Sequence, residues 1–110
     1  MLKSVQQLYI NYNRIAVDIN DLTIYKKYCY DYYNKIESGE IECRFYHDKK
    51  EIAYLYARPH NGQIGKIYIE NKYRGNGLGN SIVEMFREER ITRFGKDDLW
   101  VVSPPDHKFW

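Results

Sequence analysis

The sequence predicts an α+β domain, in which helices pack on the faces of a mixed β-sheet. Three observations point to this class. In the first third of the chain, the apolar residues follow helical spacing. Between residues 41 and 69, segments in which apolar and polar residues alternate are separated by turns. A glycine-rich loop then links the last of these strands to a helix, and a further strand follows. Because such a crossover joins parallel strands, the last strand should lie parallel to the strand before the loop.

Length and composition limit the possible classes of protein. The 110 residues correspond to a single domain over residues 1–110, and 29% charged with 44% hydrophobic residues is typical of a soluble globular protein. A net charge of +2 does not indicate bulk nucleic-acid binding. No apolar run reaches the roughly 20 residues that cross a bilayer, and Met1 to Ser4 begin no signal peptide. We therefore expect a cytoplasmic protein with no nucleic-acid or membrane partner.

The two cysteines indicate neither a disulfide nor a metal site. Cys29 and Cys43 lack CxxC spacing and have no histidine cluster nearby. We expect both to be reduced, buried thiols, with a disulfide as the alternative, and we expect no bound metal.

Two helices are predicted in the first third of the chain. Helical spacing runs from Val5 to Ala16, although residues 8–17 fit a strand equally well. A second helix should begin at Asn20 or Asp21, run to Glu37 and end at Ser38-Gly39. Its apolar stripe consists of Leu22, Tyr25, Cys29, Tyr32, Tyr33 and Ile36. Within it the run YKKYCYDYY fits a tyrosine-rich core face, or alternatively a surface that stacks bases and pairs lysines with phosphates.

The middle of the chain predicts an antiparallel meander of three strands. Turns are expected at residues 47–50 and 59–62, because each is rich in residues that favour turns. A helix should come after the glycine loop and end at Gly95, and a short apolar strand should end before Ser103-Pro104-Pro105. The predicted bounds are Ile41–Tyr46, Glu51–Ala57 and Ile64–Ile69 for the meander, Gly79–Phe94 for the helix and Leu99–Val102 for the last strand.

The stretch ENKYRGNGLG, residues 70–79, places glycines at positions 75, 77 and 79 between the predicted strand and helix. Backbone N–H groups are free at such a place, and the helix dipole favours negative charge there. Glycine lets the backbone approach a phosphate closely, and Arg74 adds a positive charge with a fork of donors. These features predict a pyrophosphate-binding loop, with a purely structural turn as the alternative.

Spacing excludes two common phosphate-binding motifs. The dinucleotide fingerprint GxGxxG would need a glycine where the chain has Asn80. The P-loop would need two glycines five positions apart with a lysine after the second, and the sequence has no such set.

The loop resembles the coenzyme A loop of the GNAT superfamily of N-acetyltransferases. That loop has an Arg or Gln, then two residues, then Gly-x-Gly, and Arg74, Gly77 and Gly79 occupy these positions. The surrounding stretch IGKIYIENKYRGNGLGNSIVEMF is similar to the family's fourth strand, loop and third helix, and LWVVSPPDHKFW to its fifth strand and the start of the next segment. Residues 41–102 thus fit the family's order from the second to the fifth strand.

The resemblance implies a cofactor, acetyl-coenzyme A, and a way of binding it. Backbone groups of one strand end would hydrogen-bond the pantetheine arm, and the loop amides would hold the pyrophosphate. Lys72 would lie at the rim of the loop, and the thioester would lie between Ile67–Ile69 and Trp100–Val102. The implied cofactor-binding residues are Tyr68, Ile69, Glu70, Arg74, Gly75, Asn76, Gly77, Leu78, Gly79 and Asn80.

The catalytic residues implied by the family are not found at their usual places. The family's frequent base is a glutamate on the fourth strand, and residues 63–66 contain no carboxylate. Glu70 is a weak candidate for the base, and Asp106 or His107 for proton transfer near the cleft. Because the family's last two strands have no counterpart, an uncovered fifth strand is expected to pair with a second copy as a homodimer.

The sequence therefore suggests an enzyme that transfers an acetyl group from acetyl-coenzyme A to the amine of a small molecule or protein. The alternative is a non-catalytic coenzyme A-binding or regulatory protein on a reduced scaffold of the same kind.

Overall fold

The computed structural model describes residues 14–101, which form a mixed α+β fold with one five-stranded sheet and one α-helix. The strand order is β1-β2-β3-β4-β5; neighbouring strands are antiparallel except β4 and β5, which are parallel. Two short 3₁₀ turns cover Ile19–Asp21 and Asn71–Tyr73. The elements are β1 Thr23–Asp31, β2 Ile36–His47, β3 Lys50–Arg58, β4 Gln63–Ile69, α1 Leu78–Phe94 and β5 Trp100–Val101.

The predicted meander, helix and parallel last strand are confirmed. Strands β2, β3 and β4 pair in sequence order, and α1 begins one residue before its predicted start and ends at Phe94, where Gly95 adopts the left-handed conformation. The turn between β2 and β3 consists of Asp48 and Lys49, both with positive φ, as a two-residue hairpin turn requires. Val102, the predicted end of the last strand, lies outside the described residues.

The second predicted helix is wrong. Residues 23–31 form β1, residues 32–35 form a turn, and β2 begins at Ile36. Tyrosine, threonine and isoleucine favour the extended backbone, and pairing of β1 along β2 satisfies the backbone groups of β1 that face β2. The predicted helix end at Gly39 is a buried point inside β2, where a Cβ would lie 2.9 Å from the Cβ of Asp31.

The first predicted helix lies mostly outside the described residues. Residues 14–18, the part that can be compared, have no regular secondary structure. Ile15 lies beside the 3₁₀ turn after β4, where its N–H donates to the Lys72 carbonyl at 2.7 Å.

Helix α1 packs on one face of the sheet, which we call the helix face, and the core lies between them. Aliphatic residues of β2, β3 and β4 meet Ile82 and Phe86 of α1 there. The opposite face, which we call the open face, has no helix against it among the described residues. The buried apolar residues are Leu22, Ile41, Cys43, Phe45, Ile52, Ala53, Leu55, Ala57, Ile64, Ile67, Ile69, Tyr73, Leu78, Ile82 and Phe86.

Both cysteines are free thiols, as predicted, although only Cys43 is buried and Cys29 is partly exposed. Burial raises the pKa of the Cys43 thiol to about 11. No helix among residues 14–101 is long and apolar enough to span a bilayer.

Candidate functional site: the glycine loop and the edge of β4

The glycine loop, residues 74–79, leaves β4 through the 3₁₀ turn and enters α1. Gly75 and Gly77 have φ of +84° and +86°, values that side chains with a Cβ rarely adopt. Gly77 is the N-cap of α1, and a Cβ built on it would meet no atom of residues 14–101 within 4 Å. Space is therefore open on the outer side of the loop, directly in front of the helix.

A run of backbone donors without acceptors in the described chain spans the loop and the first turn of α1. Among residues 14–101, no acceptor takes the N–H groups of residues 75–80, and the first helical bond is from Ser81 N–H to the Gly77 carbonyl at 3.1 Å. Gly75, Asn76, Gly77 and Asn80 are exposed. Six consecutive free N–H groups at a helix N-terminus can bind an anion with several charged oxygens, such as a pyrophosphate.

Two arginines make the loop positive. Arg14, which no sequence pattern singled out, donates from Nη1 to the carbonyls of Arg74 at 2.9 Å and Asn71 at 3.2 Å. Its guanidinium also lies against Gly75, since a Cβ there would be 3.7 Å from Nη1. Arg14 is 60 positions from Arg74 and carries no motif, so nothing in the sequence indicated this contact.

Arg74 connects the loop to the end of β4. Its Nε donates to the Ile69 carbonyl at 2.7 Å, and its guanidinium lies 5.6 Å from the centre of the Tyr68 ring. The side chain is thereby fixed across the end of β4. A charged guanidinium in this place strengthens anion binding.

The last residues of β4 have a free edge on the side of β5. Strand β5 pairs with β4 only at Gln63 and Ile64, so Ile67 and Ile69 have no ladder partner on that side among residues 14–101. Glu70 N–H donates to the Ile52 carbonyl of β3 at 2.8 Å, so the Glu70 N–H points toward β3. Backbone groups of successive residues point to opposite sides, so those of Ile67 and Ile69 point to the free edge.

The predicted pantetheine contacts therefore divide into two sets. The backbone of Ile69 faces the free edge, while the backbone groups of Tyr68 and the N–H of Glu70 face β3. Ile67, which was not among the predicted contacts, also faces the free edge. Leu78 and Gly79 are buried and offer only their backbone, and Asn80 is exposed on the first turn of α1.

Glu70, the described candidate for the base, is ion-paired. Its Oε1 lies 2.8 Å from Lys50 Nζ, and this hydrogen bond raises the pKa of the Lys50 ammonium. The two other candidates, Asp106 and His107, lie outside the described residues. The arrangement near the loop thus provides binding groups and, within the described chain, no free carboxylate at the end of β4.

A shallow depression lies on the open face beside β4. It has a volume of about 430 Å³ and is lined by Arg44, Glu51, Tyr54, Lys66 and Tyr68. Arg44 donates to Glu51 at 2.9 Å and lies over the Tyr54 ring. Because Lys66 and Tyr68 flank Ile67 in β4, the depression adjoins the backbone of Ile67.

Residues 14–101 contain no group of three or more His, Cys, Asp or Glu side chains placed to hold a metal ion.

Comparison of the chain with protein-family models, with curated proteins and with solved structures finds no match.

Proposed function

We propose that the protein binds acetyl-coenzyme A and transfers its acetyl group to an amine, on a GNAT-like arrangement of the sheet. The observation that carries the proposal is the run of N–H groups of residues 75–80, which have no acceptor among residues 14–101, next to the free edge of β4. The motif Arg74-x-x-Gly77-x-Gly79 and the order of strands around it support the same cofactor.

Three parts of acetyl-coenzyme A have a place in this proposal: the pyrophosphate, the pantetheine arm and the thioester. The pyrophosphate accepts hydrogen bonds from the loop amides, with Arg14 and Arg74 neutralising its charge. The pantetheine arm pairs, as an added strand would, with the backbone groups of Ile67 and with the N–H of Ile69, whose carbonyl already accepts from Arg74 Nε. The thioester would then lie beside β4, toward the strand's beginning.

The reaction needs little beyond positioning. The amine nitrogen attacks the thioester carbonyl and forms the amide bond, the carbon–sulfur bond breaks, and coenzyme A leaves as a thiolate. The proton that the amine loses passes through water to that thiolate, which leaves as the free thiol. Core residues fill the helix face next to Ile67, so an acceptor would approach from the open face, where the 430 Å³ depression lies. An open depression of this kind admits a small molecule or a protein side chain as the acceptor.

A second candidate is a protein that binds coenzyme A without turnover. The pairing of Glu70 with Lys50 favours it, because the Oε1 of this carboxylate is already bound by an ammonium at 2.8 Å. The two candidates share the binding site and differ only in the chemical step.

Release of free thiol from acetyl-coenzyme A in the presence of a panel of amines tests the enzyme proposal. We expect amine-dependent release by the wild type and loss of release in Gly77→Asp, which places a carboxylate where the pyrophosphate binds. Coenzyme A binding with no release for any amine would support the non-catalytic candidate and contradict transfer.

A further inference from the structure

The exposed aromatic residues of the described chain are concentrated on β1 and the turn after it. Tyr25, Tyr28 and Tyr30 belong to the strand, while Tyr32 and Tyr33 in the turn are 84% and 89% exposed. The run YKKYCYDYY, predicted as a buried helix face, is thus a surface strand. Exposed aromatic residues gathered in one place are typical of a protein–protein interface.

Strand β1 is also an edge strand nine residues long, with no ladder partner on its outer side among residues 14–101. The pairing of His47 with Lys50 across a two-residue turn fixes which backbone groups of β2 face β3. By alternation, Arg44 and Glu42 face β1, where they pair with Tyr25 and Lys27. The neighbours of those two residues, at positions 24, 26 and 28, therefore point their N–H and C=O groups outward.

We propose that β1 pairs with β1 of a second copy of this chain. The two strands would run antiparallel about a two-fold axis at Tyr28, and the sheet would become continuous over ten strands, five from each copy. Tyr28 then lies opposite Tyr28 of the second copy, and Lys26 lies opposite Tyr30. The inference does not depend on the proposed function.

The side chains favour a two-fold axis at Tyr28 over an axis at a neighbouring residue of β1. An axis at Lys26 or Lys27 would place two like charges opposite each other, which destabilises a pair of strands. An axis at Cys29 would need Asp31 as the partner of Lys27, but Asp31 is buried and bound by Asn34. With the axis at Tyr28, Lys26 meets a ring face instead of a charge.

Lysines on an edge strand usually oppose pairing with another chain. Here the charge of Lys26 is already matched within its own chain, since Nζ lies 3.6 Å from Glu89 Oε2 of α1. Tyr28 is fixed in the same place, because its hydroxyl donates to Glu89 Oε1 at 3.0 Å. The two lysines of β1 therefore oppose pairing with another chain less than their number suggests.

Helix α1 extends the surface beyond the strand. The Arg93 guanidinium lies between two rings, 5.4 Å from the centre of Tyr28 and 5.2 Å from that of Phe94. Tyr28 and Phe94 are 48% and 37% exposed. A two-fold axis perpendicular to the sheet puts both helices on the same side, so the second copy covers these rings as well as the strand.

The opposite edge of the sheet, strand β5, offers fewer backbone groups for pairing with a second copy, although the sequence analysis expected the dimer at that edge. Strand β5 has two residues in the described chain against nine in β1, so it provides fewer ladder bonds. Trp100 N–H donates to the Gly62 carbonyl, which directs the Val101 N–H away from β4. Val101 thus matches Tyr28 as an outward-pointing position and gives a control variant.

Sedimentation equilibrium of the full chain, with wild type, Tyr28→Pro and Val101→Pro, tests the inference. Proline removes one outward N–H in each variant and leaves the ladder bonds inside the chain in place. We expect the wild type and Val101→Pro to be dimers and Tyr28→Pro to be a monomer. A wild-type monomer at about 100 μM, roughly a thousandfold above a dimer dissociation constant of about 0.1 μM, would overturn the proposal.

A second variant covers the case in which Tyr28→Pro does not fold. Tyr28→Lys keeps the strand and a partner for Glu89, but places two ammonium groups at the two-fold axis. We expect a monomer with the circular dichroism spectrum of the wild type. A dimer that survives Tyr28→Lys, or one that is lost in Val101→Pro alone, would contradict pairing at β1.

Discussion

Arg90 shows how a single buried charge positions one edge of the sheet. Its Nη1 donates to the Pro59 carbonyl at 2.7 Å, and its Nη2 lies 2.6 Å from Asp98 Oδ1. The side chain therefore ties α1 both to the turn before β4 and to the segment before β5. These bonds hold β5 against the beginning of β4 and leave the rest of that strand free.

We expect Arg90→Met to lower the free energy of unfolding by about 2–3 kcal/mol, because it leaves a buried carbonyl without a donor and removes a charge-assisted bond. Urea denaturation followed by circular dichroism measures the change. Arg87→Met on the same helix is the matched control, since Arg87 is partly exposed, and about 0.5 kcal/mol or less is expected. Equal losses in both variants would show that the buried contacts of Arg90 add nothing.

Asp31 makes stability depend on acid pH. Hydrogen bonds from the Asn34 side chain and backbone, with Arg58 and His60 nearby, hold the pKa of its carboxyl below the ordinary value of 3.8. A depressed pKa contributes stability that is complete above the ordinary value and is lost as the pH falls through the folded value.

The free energy of unfolding should therefore decrease as the pH falls below about 4, and Asp31→Asn should make that decrease shallower. Urea midpoints between about pH 3 and pH 6 measure it. Asp48→Asn, at a turn position whose side chain is 91% exposed, is the control and should leave the slope of the wild type. An unchanged slope in Asp31→Asn would contradict the role given to this carboxyl.

At the scale of the elements, the sequence predicted the strands, the helix and the loop after residue 40, and it failed before that point. Strands β3 and β4 are bounded by turn residues and α1 by glycines, so their limits were readable. In β1, tyrosines occur at both odd and even positions, so neither helical nor strand spacing was distinct. The β-branched and aromatic composition of TIYKKYCY was the better signal.

The hairpin between β2 and β3 carries a turn that can be improved. Lys49 has φ of +67°, which costs a residue with a Cβ roughly 1–2 kcal/mol, while glycine adopts it freely. After the entropy that glycine loses on folding, we expect Lys49→Gly to raise the free energy of unfolding by about 0.5–1 kcal/mol. Thermal denaturation measures it.

Lys66→Gly provides the contrast for that prediction. Lys66 is an exposed residue in the interior of β4, and it is not among the residues with positive φ. Glycine there should lower the free energy of unfolding by about 0.5–1 kcal/mol. If both variants shifted stability in the same direction, the left-handed turn would not be the cause.

For the whole molecule, local sequence predicted the connection of β4, loop, α1 and β5, because each of its elements has its own signals. The contacts that complete the candidate site join distant parts of the chain. Arg14 meets Arg74 across 60 positions, and Arg90 meets Pro59 across 31. No spacing pattern encodes such pairs. The same holds for the exposure of β1, which results from its place at the edge of the sheet.

The central claim is that the glycine loop binds the pyrophosphate of coenzyme A. Isothermal titration calorimetry with coenzyme A, on the wild type, Gly77→Asn and Gly77→Asp, tests it most directly. Asparagine and aspartate both tolerate positive φ and have the same shape, so the two variants differ mainly in charge. Gly95→Asn, at the other end of α1 with equally open space, is the matched control.

We expect saturable binding by the wild type and by Gly95→Asn, and weaker binding by Gly77→Asn. Binding by Gly77→Asp should be weaker still, by about tenfold or more. An acidic residue at a helix N-terminus stabilises the fold, but it repels a phosphate. Absence of binding by the folded wild type, or equal affinity in Gly77→Asp and the wild type, would contradict the claim.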